Sequence, residues 1–164
     1  DKEEKTLENS EIKTEVNKLH SLLEAADLSE LLRFVASFTT AQLGVVVRSY
    51  NSHHQDAHVV STIKEKVAAA NKHCHDHLHI LLFTVMQAAD PARHVALLFE
   101  ESMSGLGTNE DQLSRLVAIH RGPFMEKVKV AYNIDYSRTL AERVKGDTSG
   151  LYSNLICHLI NQPI

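Results

Sequence analysis

The chain has 164 residues, and the 43% that are hydrophobic suffice for one medium domain or two small repeats around a core. Its 17 lysines and arginines stand against 21 aspartates and glutamates, which gives a formal net charge of −4. This balance argues against a nucleic-acid-binding protein and against direct electrostatic attraction to an anionic membrane. If the protein binds such a membrane near neutral pH, a cation must therefore bridge the two surfaces.

Residues that break helices are scarce, and this favours an all-α fold. Only three prolines and six glycines are present, and few breakers with few aromatics are untypical of a strand-rich sandwich. The two cysteines, Cys74 and Cys157, are too few for a disulfide framework, and Cys157 lies in an apolar run that predicts a buried, reduced thiol. The N-terminus is charged, unlike a signal peptide, and the longest apolar stretch, 80–86, is too short to span a bilayer.

Taken in chain order, the sequence predicts a charged leader followed by amphipathic helices. Residues 1–12 are rich in lysine and glutamate and predict a solvated segment. Later in the chain, apolar residues recur at helical spacing in segments that breakers such as Gly122-Pro123 separate. The predicted helix faces in the second half are Leu113, Leu116, Val117 and His120; Met125, Val128 and Tyr132; Leu140 and Val144; and Leu151, Leu155, Ile156 and Leu159.

The sequence also contains an internal repeat. Residues 31–51 align with residues 113–133 without gaps at an offset of 82, which pairs Tyr50 with Tyr132. Later helices align at an offset near 75, so the first repeat carries about seven extra residues in its fourth helix or the following loop. We therefore predict three parts, namely a charged segment over 1–12, a first repeat over 13–89 and a second repeat over 90–164.

Two loops of the second repeat suit a calcium site. They are Met103-Ser104-Gly105-Leu106-Gly107-Thr108 and Lys145-Gly146-Asp147-Thr148-Ser149-Gly150. Calcium takes six to eight oxygen ligands, often backbone carbonyls with one bidentate carboxylate, and alternating glycines tolerate the positive φ that turns several carbonyls inward. Each loop alone also has a simpler explanation, in which Thr108 caps the next helix and Asp147, Thr148 or Ser149 caps the last one.

The loop MSGLGT, the turn KGDTSG and the 42-residue gap from Gly105 to Asp147 resemble the calcium-binding repeat of annexins. The resemblance covers roughly residues 13–164, and this part of the chain is similar to the C-terminal half of an annexin. A divergent, giardin-like protist member of the family stays open as an alternative. It implies an all-α fold of two annexin-type repeats of about five helices each, with a right-handed superhelical wind. It also implies that the main-chain carbonyls of Met103, Gly105 and Gly107 bind Ca²⁺ and that Asp147 supplies the bidentate carboxylate.

The same resemblance implies further contacts around the main site. The Thr108 carbonyl and the Glu110 carboxylate would form a secondary site, although an acid in a first helical turn is favourable without a metal. Leu106 at the loop tip would press against the lipid interface, and Lys145 would touch a headgroup. One carboxylate predicts a calcium Kd on the order of 10⁻⁴ to 10⁻³ M without lipid, and lipid would tighten binding by completing the shell.

The first repeat lacks these loops. The offset places Leu23-Glu24-Ala25-Ala26 at the glycine loop, so we predict no annexin-type calcium site there. His73, Cys74, His75 and His77 are zinc-ligand types and leave zinc as an alternative, but their spacing matches no standard structural zinc site and favours a solvated loop. The 11 histidines also suggest calcium-independent adsorption to anionic membranes at mildly acid pH.

The predicted function is calcium-dependent binding to acidic phospholipid membranes by a cytoplasmic protein, peripheral on the inner face. The alternative is a structural protein that keeps the scaffold and binds a cytoskeletal or other protein partner with reduced calcium dependence. Association of two copies is also left open. No nucleophile motif, phosphate-binding glycine loop or zinc-hydrolase signature is present, so we do not expect an enzyme. The negative net charge is the reason that we expect no nucleic-acid partner.

Overall fold

Helices form all the regular secondary structure of residues 7–54 and 58–162, which are the residues that the computed structural model describes. The predicted all-α fold is therefore confirmed. The chain forms two units, Asp1–Asp90 and Pro91–Ile164, and each unit has a hydrophobic core of its own. None of the described helices is both long and apolar enough to cross a membrane.

Within residues 7–54 and 58–90, the first unit contains five helical stretches. They are α1 (Asn9–Ala25), α2 (Leu28–Ala36), α3 (Thr40–His53), a fourth stretch over 59–70, and α6 (His75–Ala89). Helix α1 begins inside the predicted charged segment, because Glu8 and Glu11 form a reciprocal capping box there. The remainder of that segment, residues 1–6, lies outside the described residues.

The fourth stretch explains part of the length difference between the repeats. It consists of α4 (Val59–Thr62), a π-helical segment (Ile63–Val67) and α5 (Ala68–Ala70). The equivalent helix of the second unit, α10 (Leu140–Asp147), has only 8 residues. A π-helical turn accommodates extra residues within a continuous helix, and Val59, Ile63 and Val67 are all fully buried across it.

Close packing between α3 and α6 fixes the core of the first unit. A Cβ atom placed on Gly44 would lie under 3.0 Å from the Ala88 carbonyl oxygen, so only glycine lets the two helices approach this closely. The Arg48 guanidinium donates to the carbonyls of Ala88 and Ala89 at 3.2 and 3.3 Å, which satisfies acceptors that the end of α6 leaves open.

The second unit consists of α7 (Pro91–Ser102), α8 (Glu110–His120), α9 (Pro123–Tyr136), α10 and α11 (Gly150–Asn161). Pro123 occupies the first turn of α9, as the predicted Gly-Pro boundary requires. Asn109 caps α8 by accepting from the Gln112 amide, so the simpler alternative in which Thr108 provides this cap is wrong. Ser149 is the residue that precedes α11, without a side-chain capping bond.

Most of the predicted helix faces are buried, but that of α11 is displaced. Leu113, Val117, Val128 and Tyr132 are all 1% exposed or less. In α11 the structure buries Ser153, Ile156, Cys157 and Ile160, whereas Leu151 and Leu155 are 88% and 55% exposed. Apolar residues lie on several sides of this helix, so their spacing alone did not define the buried face. Cys157 is a buried free thiol, as predicted.

We expect mild acid to destabilise the second unit through His120. Its ring is half-buried beside Phe124, with ring centroids 5.5 Å apart, and burial lowers the pKa of His120. The unfolded chain therefore binds a proton more readily, so the contribution to stability is full above the unfolded pKa of about 6.5 and is lost as the pH falls through the folded pKa. A His120→Gln variant should lose less thermal stability than the wild type between about pH 7.5 and about pH 5.5. Equal losses in both proteins would contradict this prediction.

Candidate metal centre

The loop between α7 and α8 has the backbone that its glycines predict. Gly105 and Gly107 have φ values of 93° and 86°, in the left-handed region that other residues rarely adopt. The Asn109 amide donates to the Ser102 carbonyl at 2.8 Å and closes the loop at its base. Leu106 at the tip is fully exposed, as the sequence predicts for a residue that would meet a lipid interface.

Asp147 lies at the end of α10, and Thr108 links it to this loop. The Thr108 hydroxyl lies 2.5 Å from one Asp147 carboxylate oxygen and 3.0 Å from the Asp147 main-chain carbonyl oxygen. Both residues are partly buried. The structure therefore brings the two predicted loops together, although they are 39 residues apart in the chain.

A cationic side chain that the sequence analysis missed lies between the predicted calcium ligands. The Arg143 Nη1 donates to the Asp147 Oδ1 at 3.0 Å, and Nη2 donates to the main-chain carbonyl of Met103. The carbonyl of one loop and the carboxylate of the other therefore converge on a single positive group. The only sequence signal for this contact is that Arg143 precedes Asp147 by four residues on one helix.

Glu100 on α7 holds the other side of this guanidinium. Its carboxylate accepts from Arg143 Nε at 3.3 Å, from Arg138 Nη2 at 3.0 Å and from the Tyr132 hydroxyl. Burial, and then the hydrogen bond to Glu100, raises the pKa of Tyr132. Burial lowers the pKa of Arg143, but Glu100 and Asp147 raise it more, so the net direction is upward and the guanidinium keeps its charge.

The residues present fit a calcium ion in their ligand chemistry. Carbonyl and carboxylate oxygens are the donors that calcium prefers, and those of Met103 and Asp147 already bind one cationic group. Apart from the glycine itself and its two chain neighbours, no described residue has an atom within 4 Å of the position that a Cβ would take on Gly105 or Gly107, so the loop is open to solvent. A calcium ion bound here would supply positive charge at the surface, next to Leu106.

The other predicted ligands are more scattered. Glu110 is exposed in the first turn of α8, with its main-chain carbonyl accepting from the Tyr152 hydroxyl at 3.0 Å, and Lys145 is exposed on α10.

In the first unit only Ala26 and Asp27 separate α1 from α2, so there is no room for a loop like 103–109 between them.

The histidine-rich stretch does not form a metal centre in the structure. His73, His75 and His77 are exposed and Cys74 is half-buried. Across residues 7–54 and 58–162, no three histidine, cysteine, aspartate or glutamate side chains come together as a metal-binding group. The zinc alternative therefore has no assembled ligand set in the described part of the chain.

Several known proteins resemble this chain in sequence or in fold. Residues 93–159, which contain both loops, match the family model Annexin. The chain is 26% identical over 137 residues to Annexin A7 of Dictyostelium discoideum, and this match covers 82% of the chain and 28% of that protein. The chain spans less than half the length of the curated relatives that it matches.

Solved structures share the fold. The structure of calcium-bound annexin (Sm)1 has a TM-score of 0.73 at 22% identity, and the match covers 94% of this chain and 41% of that one. Calcium-bound alpha-14 giardin has a TM-score of 0.75 at 16% identity, covering 96% of this chain and 52% of that one. At such identities the likeness shows the fold alone. The part of the chain that matches the annexin family model is residues 93–159, and the solved structures that share its fold are those of annexins and a giardin.

Proposed function

We propose that this protein binds acidic phospholipid membranes in a calcium-dependent manner through the loop 103–108 and Asp147. The observation that carries the proposal is the convergence of the Met103 carbonyl and the Asp147 carboxylate on one cationic group. A place that already stabilises a guanidinium between two oxygen ligands can stabilise a metal cation by the same electrostatics.

The proposed ligands are the main-chain carbonyls of Met103, Gly105 and Gly107 and both oxygens of Asp147. Because calcium takes six to eight oxygens, the remaining positions go to water or to a lipid phosphoryl oxygen. The chain has a net charge of −4 and so gains nothing from direct attraction to an anionic surface. A bound divalent cation overcomes the repulsion between the acidic protein and the acidic membrane, because it bridges the Asp147 carboxylate and a lipid phosphate.

Exposed residues around the loop support attachment at the membrane surface. Leu106 is fully exposed and offers apolar contact area at the boundary of the headgroups, while Lys145 on the neighbouring helix is exposed and can meet an anionic headgroup. Two related structures, annexin (Sm)1 and alpha-14 giardin, contain calcium. The Thr108 carbonyl and Glu110 stay a prediction for a second, weaker ion.

A second candidate function is a calcium-independent scaffold that binds a protein partner, such as the cytoskeleton. The observation that favours it is that Arg143 donates to both Asp147 and the Met103 carbonyl, so a side chain of the same unit supplies a cationic partner to both. The connection between α1 and α2 in the first unit is also too short for a loop of the calcium-binding type. The two functions differ in whether membrane binding requires calcium.

Co-sedimentation with lipid vesicles tests the proposal. We expect the chain to pellet with phosphatidylserine vesicles in millimolar calcium and to stay in the supernatant when a chelator is present. Phosphatidylcholine vesicles are the control and should bind little protein, because they lack the negative charge that calcium bridges. Equal binding with calcium and with chelator, or no binding in either, would refute the proposed function and favour the scaffold.

A further inference from the structure

We propose that Arg143 is an internal competitor for calcium, which holds the ligands of the site until the ion displaces it. This inference rests on the proposed function, since it concerns the same site. It adds a residue to the site that tunes the calcium concentration at which the protein responds.

The guanidinium binds the proposed ligands themselves. Its Nη1 and Nη2 donate to Asp147 and to the Met103 carbonyl, which are a carboxylate and a carbonyl of the proposed calcium shell. The Arg143 side chain is only 15% exposed, so these charge-assisted bonds are partly shielded from water. Residues four apart on a helix face the same side, so α10 presets the contact between Arg143 and Asp147.

Calcium and the guanidinium cannot use Asp147 together. The carboxylate gives Oδ1 to Arg143 and Oδ2 to the Thr108 hydroxyl. Each oxygen keeps a further lone pair, so the neutral Thr108 hydroxyl can share Oδ2 with an ion, whereas the cationic donor at Oδ1 repels it. An ion placed between Met103 and Asp147 would also lie against a positive charge. Binding of calcium therefore requires Arg143 to leave both ligands.

Glu100 can stay bound to the guanidinium of Arg143 after calcium displaces it from the site. Its carboxylate already accepts from Arg143 Nε at 3.3 Å and is not among the proposed calcium ligands. Arg143 can therefore keep its bond to Glu100 while its two terminal nitrogens turn away from the loop. The exchange needs a change of side-chain rotamer and no unfolding of α10.

The test is a calcium titration of the wild type and of Arg143→Met, followed by the NMR shifts of the Gly105 and Gly107 amides. We expect the variant to bind calcium about tenfold more tightly, the change that loss of one competing charge-assisted interaction produces. Arg138→Met is the matched control, because Arg138 also binds Glu100 but touches neither Met103 nor Asp147. Its calcium Kd should equal that of the wild type.

A second variant and a second readout protect the test against simple misfolding. Arg143→Lys keeps the charge but cannot reach all three acceptors with planar geometry, so its Kd should lie between those of the wild type and Arg143→Met. In chelator, Arg143→Met should melt at a lower temperature than the wild type, because Asp147 and Glu100 lose a cationic partner. Added calcium should then raise its melting temperature by more than it raises that of the wild type.

The outcomes separate this inference from the proposed function. Calcium binding by the wild type with an unchanged or weaker Kd in Arg143→Met would overturn the competitor and leave the proposed function standing. Binding by Arg143→Met alone would establish the competitor and overturn calcium-dependent function for the native chain. Absence of binding in every variant would overturn both.

Discussion

Replacing Asp147 with alanine is expected to abolish calcium-dependent sedimentation with phosphatidylserine vesicles. Asp147 is the only charged side chain among the proposed ligands of the main site, and the remaining ligands are neutral main-chain carbonyls. Loss of this carboxylate should weaken calcium binding on the order of 100-fold, which corresponds to about 2.7 kcal/mol. The measurement is the calcium concentration that gives half-maximal sedimentation, together with the calcium-dependent shifts of the Gly105 and Gly107 amides.

A matched charge change elsewhere in the second unit controls for electrostatics. Asp111→Ala also removes one negative charge, from an exposed carboxylate on α8 that pairs with Arg115 at 2.9 Å. We expect this variant to bind vesicles like the wild type, because an exposed helix pair contributes little. Asp147→Asn retains an acceptor for the Thr108 hydroxyl and should fail to bind calcium nonetheless. Normal calcium dependence in both Asp147 variants would show that the ion does not bind at this carboxylate.

Replacing Gly44 with alanine adds one methyl group. We expect this addition to destabilise the first unit more than a methyl group added at any other position. The added Cβ would lie under 3.0 Å from the Ala88 carbonyl oxygen and 2.8 Å from the Arg48 Nη1. The carbonyl belongs to the backbone of α6, so relief requires the two helices to separate and the Arg48 bonds to break. We expect a loss of about 2 to 3 kcal/mol in the free energy of unfolding, measured by urea denaturation.

Gly146→Ala is the control for this prediction, because Gly146 is also helical and, apart from its chain neighbours and the nearby backbone of its own helix, no described atom lies within 4 Å of the position that its Cβ would take. Alanine is favoured over glycine within a helix by about 0.5 to 1 kcal/mol, so this variant should be slightly more stable in chelator. A loss of stability in Gly44→Ala together with a gain in Gly146→Ala would identify the close approach of α3 and α6 as the cause of the loss. A stable Gly44→Ala variant would mean that these helices separate at little cost.

The sequence predicted those parts of the structure that depend on local pattern. Helical spacing identified Leu113, Val117, Val128 and Tyr132 as buried, because a clearly amphipathic helix has one apolar face. It failed for Leu151 and Leu155, since α11 is apolar on more than one side and tertiary packing chooses the face.

The candidate site was predictable only in part, for a similar reason. The glycine loop is visible in the sequence, because positive φ favours glycine, and Gly105 and Gly107 do adopt it. The sequence carries no comparable signal for the role of Arg143. An arginine four residues before an aspartate is common on helix surfaces, and only the fold reveals that the Met103 carbonyl and Glu100 lie on its other sides.

The charges around Glu100 have a consequence for how strongly the protein responds to salt. Glu100 and Asp147 are balanced by Arg138 and Arg143, so this network of four side chains is electroneutral before any metal arrives. This network has no unpaired carboxylate to neutralise a divalent ion that binds there. The full charge of +2 therefore appears at the surface beside Leu106. Attachment to an anionic bilayer should therefore weaken steeply with ionic strength, since exposed charges are screened over about 8 Å at physiological salt.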